Sequence, residues 1–458
     1  MLWQSVWQWL HKLRRLVGFN YTLLKRWIII KNYKKSKYNI FVPYKNGTII
    51  FNALSGAIGN FDEETLSRYE NDNLSEEEID LLLKKGVIIN KDFNEIEKIN
   101  NDRENGIKDE KFKHFRIWPT SSCNARCYYC FEKGIIHKNM SLETAEKVVK
   151  FIDKNLNEED TLKIEWFGGE PLLNIKVIDY IYDKIKVICE KKHCHFYSSI
   201  ISNGSLVDES LAVKMKSEWN LSLIQITLDG YEKEYNEAKN YCNPTKHNFK
   251  TVINSIKYLA NQGIHVTIRM NYDTKNYESL YKLINYLHEE LKTYTNISYY
   301  VYPLWSSIEE DVEDSFASNA KADENLLKLF ELLVKNKMGS IYKIARLNYK
   351  QHSCQAWSEN SLTILPDGKI SKCCESYNQI LGDVENGITN KESYEFWTNS
   401  KLDDKCEDCV YLPLCQGGCK ASHFSRMSQC FAYKPIFNDI IKWYVDHLEN
   451  ERNKEKTL

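Results

Sequence analysis

The distribution of cysteine constrains this chain more than any other feature of its sequence. The chain has 458 residues and 14 cysteines, of which three lie at residues 123–130 and eight at residues 354–430. Disulfide frameworks are typical of small secreted domains, whereas closely spaced cysteines in a large intracellular chain are typical of metal ligands. The other three, Cys189, Cys194 and Cys242, are interpreted as ordinary thiols. The chain is therefore expected to fold around metal centres.

Length and charge exclude several classes of protein. A chain of this length predicts two to four domains at roughly 100–200 residues each, and a hydrophobic fraction of 43% excludes a disordered chain. The formal net charge of -1 excludes a polycation built for nucleic acid. Residues 1–38 contain nine Lys or Arg and no acid, whereas residues 62–110 contain sixteen acids against seven bases. This asymmetry predicts two surfaces with different partners, neither of them nucleic acid.

The first 37 residues form a basic segment with neither a membrane span nor a secretory signal. No stretch reaches the roughly 18 uninterrupted apolar residues that a span needs, and no apolar block precedes a small-residue cleavage site. The protein is therefore expected in the cytoplasm. Residues 2–17 have the spacing of an amphipathic helix, which either packs on the protein or contacts a membrane surface or another protein.

Residues 38–110 are predicted to form a small domain followed by a linker. Its strand-like and helical patterns have the order hairpin, helix, helix, strand: 38–43 and 48–51, 61–69, 75–85, and 87–90. Residues 94–110 are polar and charged and are predicted as the linker. The order of elements resembles the winged-helix peptide-recognition domain of ribosomal-peptide maturation enzymes. That resemblance implies that the domain binds the leader of a precursor peptide.

Residues 111–310 alternate between strand-like and helical patterns, which predicts parallel strands joined by crossover helices. The predicted strands are 115–119, 162–167, 196–201, 222–228, 264–271 and 297–303. This α/β pattern fits a partial (β/α)6 barrel, two units short of a full (β/α)8 barrel, with its chemistry at the carboxyl ends of the strands. The chain is predicted to continue with a helical connector at 311–350, a cysteine-rich domain at 351–435 and a C-terminal helix at 436–458.

The first cysteine group follows the first barrel strand as Cys123-x3-Cys127-x2-Cys130. Three thiolates on one loop can hold three irons of a [4Fe–4S] cube and leave the fourth open, whereas structural zinc needs four ligands. The motif resembles that of the radical S-adenosylmethionine (radical SAM) enzymes. The resemblance implies that the open iron binds SAM, whose reductive cleavage releases a 5′-deoxyadenosyl radical. It also implies that Tyr129 contacts the adenine.

Residues at the ends of the later strands match the same family. Gly168-Gly169-Glu170 follows the second strand; the two glycines allow close approach of the backbone to a ligand, and Glu170 is a candidate acceptor for the ammonium group of SAM. The resemblance implies that further contacts to SAM come from Ser202, Asn203, Asp229, Arg269 and Asn271. Each of these five also fits an ordinary turn or strand end.

The C-terminal cysteines have ligand-like spacing, and taken alone they fit either zinc or iron–sulfur. Beside the radical motif they resemble the SPASM extension, which binds two auxiliary [4Fe–4S] clusters. By that resemblance the distal cluster is held by Cys406, Cys409, Cys415 and Cys430, and the cluster nearer the substrate by Cys354, Cys373 and Cys419. The expected cofactors are therefore SAM and three [4Fe–4S] clusters.

Two departures from the SPASM pattern bear on the reaction. No cysteine follows Cys354 within residues 355–360, so the near cluster has either an open iron or Cys374 as its fourth ligand. Adjacent side chains point apart in an extended segment, which favours the open iron, since Cys374 directly follows Cys373. Cys374 also occupies the position at which sulfatase-maturing relatives have an aspartate base. It is the one candidate catalytic residue, and its presence disfavours formylglycine formation.

The combined pattern predicts a radical SAM oxidoreductase that abstracts hydrogen from a ribosomally made precursor peptide and installs a cross-link. A cysteine thioether is preferred, because an open iron would hold a substrate thiolate. The alternatives are a carbon–carbon cross-link and then formylglycine formation. A non-catalytic iron–sulfur electron-transfer protein is the hypothesis of a different class, and it would need no open iron. The expected partners are a precursor peptide with its leader and an electron donor such as flavodoxin or ferredoxin.

Overall fold

The computed structural model describes residues 32–273, 275–304, 322–350, 354–423 and 430–455. These residues form two compact units, the first with residues 32–99, 408–413 and 441–455 and the second with the described residues of 100–407 and 414–440. The amphipathic pattern at 2–17 and residues 305–321, which include the start of the predicted connector, lie outside the described residues. No helix in the described part of the chain is long and apolar enough to cross a membrane.

The first unit contains two small antiparallel sheets and two short helices. Its elements are β1 (Tyr33–Lys35), β2 (Asn39–Tyr44), β3 (Gly47–Asn52), β4 (Ile58–Asp62), α1 (Glu63–Glu70), α2 (Glu76–Lys85) and β5 (Ile88–Asn90). Strands β2, β3 and β4 pair in that order, and β1 pairs with β5. Helix α2 begins with a capping box formed by Ser75 and Glu78 and ends at Gly86, whose φ is 73°. The predicted hairpin is confirmed as β2 and β3, while β1 and β4 were not predicted.

Residues 94–110, predicted as a linker, contain the regular helix α3 (Glu95–Ile107). Ile99 and Arg103 are 0% exposed and Ile107 is 2% exposed, and their spacing of four residues places them on one stripe of the helix. The prediction was wrong in its secondary structure because an arginine occupies the centre of the buried stripe. A search for apolar periodicity does not detect such a stripe.

The second unit is an α/β fold. Its strands are β6 (Phe112–Thr120), β7 (Thr161–Gly168), β8 (His195–Ser202), β9 (Leu221–Thr227), β10 (His265–Tyr272), β11 (Ile297–Pro303), β12 (Ser361–Ile364), β13 (Lys369–Ser371), β14 (Gly382–Asp383) and β15 (Gly387–Ile388). Its helices are α4 (Leu142–Asn155), α5 (Ile175–Lys191), α6 (Glu209–Ser217), α7 (Glu232–Lys239), α8 (Phe249–Asn261), α9 (Tyr277–Leu291), α10 (Glu324–Lys335), α11 (Ile341–Ile344), α12 (Lys391–Thr398) and α13 (Asp404–Glu407). Two later helices, α14 (Leu412–Cys415) and α15 (Phe437–Glu455), contain residues of both units.

All six predicted barrel strands are present, and they lie side by side in chain order. Strands β6 to β11 pair in parallel with their sequence neighbours, and helices connect them, which is the arrangement of a partial (β/α)6 barrel. Next to β6 the sheet continues with β12, which is parallel to β6, and then with the antiparallel β13, β14 and β15. These last four strands have two to four residues each, too few for a recognisable sequence period.

The register of the parallel strands gives the sheet one polar face. Arg116 pairs with Glu165, Glu165 with Ser199, and Arg269 with both Thr227 and Tyr300. Their neighbours along the strands, such as Ile164, Ile226 and Ile268, are 0% exposed. Because successive side chains of a strand point to opposite faces, the apolar residues form one face and the polar residues the other. The polar face is where the predicted site residues gather.

Candidate active site

The loop after β6 carries the first cysteine group. Cys123, Cys127 and Cys130 are partly buried, and none of the fourteen cysteines forms a disulfide. Burial is the main cause that raises the pKa of Cys123 to about 12 and that of Cys130 to about 11, and neighbouring thiols of the group add to the rise. A bound cation would offset this cost, because a coordinating thiol is deprotonated. The donor chemistry of this loop therefore fits a positively charged iron core.

A [4Fe–4S] cluster and a single metal ion need different arrangements of the three thiols. Within the described residues, no three His, Cys, Asp or Glu side chains converge on one point that could hold a metal ion. A [4Fe–4S] cube needs no such convergence, because each cysteine binds a different iron at a corner of the cube. Three thiols on one loop satisfy that requirement.

The two glycines after β7 allow the chain to pass against the cysteine loop. Gly168 has φ 97°, and a Cβ there would lie 2.5 Å from the carbonyl oxygen of Thr120. A Cβ on Gly169 would overlap with the backbone of Ser122, directly before Cys123. The amide of Glu170 donates to the carbonyl of Ser122 at 2.8 Å. Glycine is therefore required here for packing between two backbones, whatever ligand the loop binds.

Glu170 lies at the centre of a buried hydrogen-bond group. Its carboxylate is 0% exposed and accepts from the amide of Leu172 at 3.1 Å, the hydroxyl of Ser202 at 2.9 Å and the amide of Asn203 at 2.8 Å. Burial raises the pKa of Glu170 to about 7, although these hydrogen bonds oppose the rise. The side chain of Asn203 reaches back to Asn124 on the cysteine loop at 2.8 Å. Three predicted site residues thus meet beside the thiols.

A second group joins the other predicted residues. The hydroxyl of Tyr129 donates to Asp229, which also accepts from the side-chain amide of Asn271 at 2.9 Å. Arg269 donates to Asn271 at 2.8 Å and lies over the ring of Tyr302. Two loops and strand β10 therefore form one chain of hydrogen bonds. Every residue predicted to contact SAM lies in this group, in the Glu170 group or in the glycine turn.

Lys239, at the end of α7, was not predicted and completes the second group. Its ammonium is 2.8 Å from a carboxylate oxygen of Asp229 and donates to the oxygen of Tyr129 at 2.8 Å; Lys239 and Asp229 side chains are 3% and 1% exposed. Burial acts to lower the pKa of Lys239, but the charges of Asp229 and Cys127 raise it above its ordinary value. Sequence analysis did not identify this residue, because a lysine in the last turn of a polar helix is typical of a solvent-exposed helix end.

Charged side chains on β6 and β7 connect the barrel with the C-terminal cysteines. Arg116 donates to Glu165 at 2.6 Å and to the sulfur of Cys374 at 3.3 Å, and Lys163 lies 3.1 Å from Glu165. Burial acts to raise the pKa of Glu165, but Arg116 and Lys163 lower it to about 2. Sequence analysis did not find Arg116, Lys163 or Glu165, because charged residues inside a barrel follow the same alternation as a solvated strand face.

Cys374 lies with the cysteines assigned to the near cluster. Electrostatic interactions connect its thiol with those of Cys373 and Cys354, and the thiol of Cys354 with that of Cys419. The hydrogen bond from Cys373 is the largest of the effects that lower the pKa of Cys374; burial opposes it and Arg116 assists it. The chain bends at Cys374 and continues in a turn at residues 375–378, so the rule for an extended segment, that adjacent side chains point apart, does not apply here.

The remaining cysteines differ in exposure and are divided between the two units. Cys406, Cys415 and Cys419 are partly buried, Cys430 is exposed, and all four belong to the second unit; Cys409 is partly buried and belongs to the first. Cys189 is buried, Cys194 is partly buried and Cys242 is exposed. The last three lie outside both cysteine groups.

Comparison with known proteins identifies the barrel. Residues 117–297 match the model of the radical SAM superfamily. The chain is 23% identical over 410 residues to the radical SAM cyclopropyl synthase TigE of Paramaledivibacter caminithermalis, covering 81% of this chain and 82% of that protein. It is 24% identical over 335 residues to a cysteine-type anaerobic sulfatase-maturating enzyme of Clostridium novyi, covering 66% and 86%. Over 180 residues, which are 38% of this chain, it is 28% identical to an uncharacterised protein of Methanocaldococcus jannaschii, and the match spans 58% of that protein.

A solved structure shares the fold. Native anSMEcpe with bound AdoMet and Cp18Cys peptide superposes with a TM-score of 0.58 at 20% identity, covering 75% of this chain and 99% of that one. The superfamily model covers β6 to the start of β11, the strands that bear the cysteine loop, the glycine turn and the Asp229 group. The chain therefore contains a radical SAM domain at residues 117–297 and is a radical SAM enzyme.

Proposed function

We propose that this enzyme modifies a ribosomally made precursor peptide by abstracting a hydrogen atom and installing a cross-link. The observation that carries the proposal is that the cysteine loop, the Glu170 group and the Asp229 group lie at the same carboxyl ends of the parallel strands, beside the C-terminal cysteines. The relatives support a peptide or protein substrate: one is a sulfatase-maturating enzyme, and the shared fold was solved with a bound peptide.

The chain's own residues would bind and orient SAM. When bound, the cluster and SAM supply a 5′-deoxyadenosyl radical, the species that removes hydrogen from the peptide. The ionised carboxylate of Glu170 would pair with the SAM ammonium, and Arg269 would pair with its carboxylate. Tyr129, fixed by Asp229 and Lys239, would hold the adenine. A flavodoxin or ferredoxin is the proposed electron donor.

The proposal is tested by replacing Cys123, Cys127 and Cys130 together with alanine. The reconstituted variant should form no 5′-deoxyadenosine yet keep the iron of two auxiliary clusters. The matched control is Cys242→Ala, which removes an exposed thiol outside both cysteine groups and should leave cleavage unchanged. Undiminished SAM cleavage in the triple variant would contradict the assignment of the loop.

The position of Cys374 affects which bond is proposed. The thiol lies with Cys354 and Cys373 and accepts a hydrogen bond from Arg116, so it is available as a fourth ligand of the near cluster. A closed cluster gives a substrate thiolate no iron to bind. We therefore place carbon–carbon bond formation ahead of the thioether. The similarity to a cyclopropyl synthase supports the same order.

The two bonds are distinguished with a Cys-containing peptide encoded beside the gene. Carbon–carbon linkage leaves the peptide thiol free, so iodoacetamide adds to the product, whereas a thioether product is not alkylated. Cys374→Ala should lower the iron content of the near cluster if Cys374 is a ligand. A fully loaded, active Cys374→Ala enzyme with an alkylation-resistant product would restore the thioether. Formylglycine formation, supported by the sulfatase-maturating relative, would appear instead as an aldehyde that reacts with hydrazide.

The first unit offers a place for the leader of such a peptide. Strand β4 is an edge of its three-stranded sheet, and a groove of about 260 Å³ lies between β4 and α2, lined by Ile58, Phe61 and Leu81 among others. Leu81 is 55% exposed. An extended peptide can add to such an edge through main-chain hydrogen bonds, with side chains in adjacent pockets. We propose this groove as the leader site.

A further inference from the structure

Arg103 is a charged side chain at the centre of a buried helix stripe. It is 0% exposed on α3. One guanidinium nitrogen donates to the carbonyl of Gln416, and another donates to the carbonyl of Ser400 at 3.0 Å. The guanidinium also lies 4.6 Å from the ring centre of Trp357. The arginine is therefore held rigidly by neutral backbone and aromatic groups.

Arg103 has no carboxylate partner within the described residues. No ion pair to Asp or Glu involves it, and its Nε has no hydrogen-bond acceptor. Burial lowers the pKa of Arg103 to about 10, and the titratable groups that oppose this effect are the thiols of Cys406 and Cys415 and the hydroxyl of Tyr349. A second cation, Lys420, lies 4.6 Å from the Trp357 ring centre and donates only to backbone carbonyls of residues 396, 397 and 399. A buried charge without a counter-charge is costly, so an anion nearby would offset it.

The loop that Arg103 binds connects cysteines assigned to two clusters. Between Cys415 and Cys419 the residues Gln416, Gly417 and Gly418 all have positive φ, at 59°, 84° and 84°. A Cβ on Gly417 would lie 2.8 Å from Leu402 and 3.6 Å from a guanidinium nitrogen of Arg103. The loop is thus shaped to pass directly against the guanidinium. A cavity of about 340 Å³ is lined by the same arginine, Trp357, Gly417 and Lys420.

We propose that Arg103 is the buried counter-charge of the auxiliary cluster assigned to Cys406 and Cys415, and that it raises the reduction potential of that cluster. The proposal rests on the proposed function, together with the auxiliary cluster that the SPASM resemblance assigns to these cysteines. A [4Fe–4S] core bound by thiolates carries a net negative charge, and net charge and nearby hydrogen bonds set its potential. A fixed positive charge at low dielectric stabilises the reduced cluster, which is the more negative state.

The test uses the full chain with Cys123, Cys127 and Cys130 replaced by alanine, so that only auxiliary clusters contribute. In this background Arg103→Gln keeps a hydrogen-bond donor but removes the charge. Arg103→Lys keeps the charge but removes the guanidinium group, which donates from two nitrogens. Lys401→Gln is the control, because it removes an exposed charge at the rim of the same cavity, where solvent screens it. Iron per chain and the midpoint potentials are measured by redox titration followed by electron paramagnetic resonance.

Arg103→Gln should shift one potential to a more negative value or lose the iron of one cluster, whereas Arg103→Lys and Lys401→Gln should resemble the parent. If Arg103→Gln and Arg103→Lys both had the midpoint potentials and iron content of the parent, the proposal would be overturned, since the charge would then have no effect. Equal loss of iron in both would overturn it too, because shape and not charge would be needed. A parent without any iron would contradict the auxiliary clusters themselves, a result distinct from either.

Discussion

The buried pair of Lys239 and Asp229 gives the sharpest prediction about the radical site. The ammonium and carboxylate are 2.8 Å apart, with side chains 3% and 1% exposed. Lys239→Met would leave the Asp229 carboxylate buried without its counter-charge. Removing one partner of a buried ion pair costs about 3–5 kcal/mol. We expect the free energy of unfolding of the second unit to fall by that amount.

The expected loss is specific to the buried charge. In Lys239→Met/Asp229→Asn the new amide can donate to the oxygen of Tyr129 while still accepting from Asn271, so the double variant should recover part of the loss. The matched control is Lys233→Met on the same helix, whose ion pair with Glu237 is 3.9 Å long and largely exposed; an exposed pair contributes about 0–1 kcal/mol.

The measurement is urea unfolding of the metal-free proteins, followed by tryptophan fluorescence and analysed from midpoint and slope. SAM cleavage by the reconstituted variants is the second readout, because a displaced Tyr129 should reduce it. A Lys239→Met protein as stable as Lys233→Met would refute the reasoning. The reasoning would also be refuted if the double variant lost as much free energy of unfolding as Lys239→Met and Asp229→Asn lose together when each is measured alone, because the two charges would then be independent.

Three further predictions concern the same molecule. Gly169→Ala should abolish SAM cleavage, because the new Cβ overlaps with the backbone beside Cys123, whereas Gly263→Ala, whose Cβ meets no atom within 4 Å and which carries only the backbone strain of a φ of 71°, should retain it. SAM affinity should rise roughly tenfold between pH 6 and 8, because the Glu170 carboxyl, with a pKa of about 7, is neutral below and ionised above that value; Glu170→Gln should bind more weakly and show no such rise in calorimetry. Leu81→Asp should weaken binding of a labelled precursor peptide while Leu142→Asp, at 52% exposure, should not, and equal affinities would remove the groove from the leader site.

The barrel strands and their positions along the chain could be predicted from the sequence. Periodicity located all six parallel strands, because a half-buried strand must alternate and a crossover helix must present an apolar stripe. Cysteine spacing located the first loop, since three thiols at these intervals are close along the chain before any folding. The glycine turn and the polar residues at the ends of β8, β9 and β10 were assigned by resemblance to the radical SAM family, and all of them lie at the carboxyl ends of the strands, where such barrels have their chemistry.

The burial of the charged side chains and the identity of their partners could be seen in the folded structure but not in the sequence. Lys239 lies at the end of a polar helix and Arg103 within a polar segment, and such local patterns are typical of solvent-exposed residues. Each is buried because a distant part of the chain covers it, Asp229 and Tyr129 in one case and Ser400 and Gln416 in the other. The contact of Cys374 with Arg116 likewise joins residues far apart in sequence. Burial of a charge is a property of contacts between residues far apart in sequence, and a pattern within one segment does not contain it.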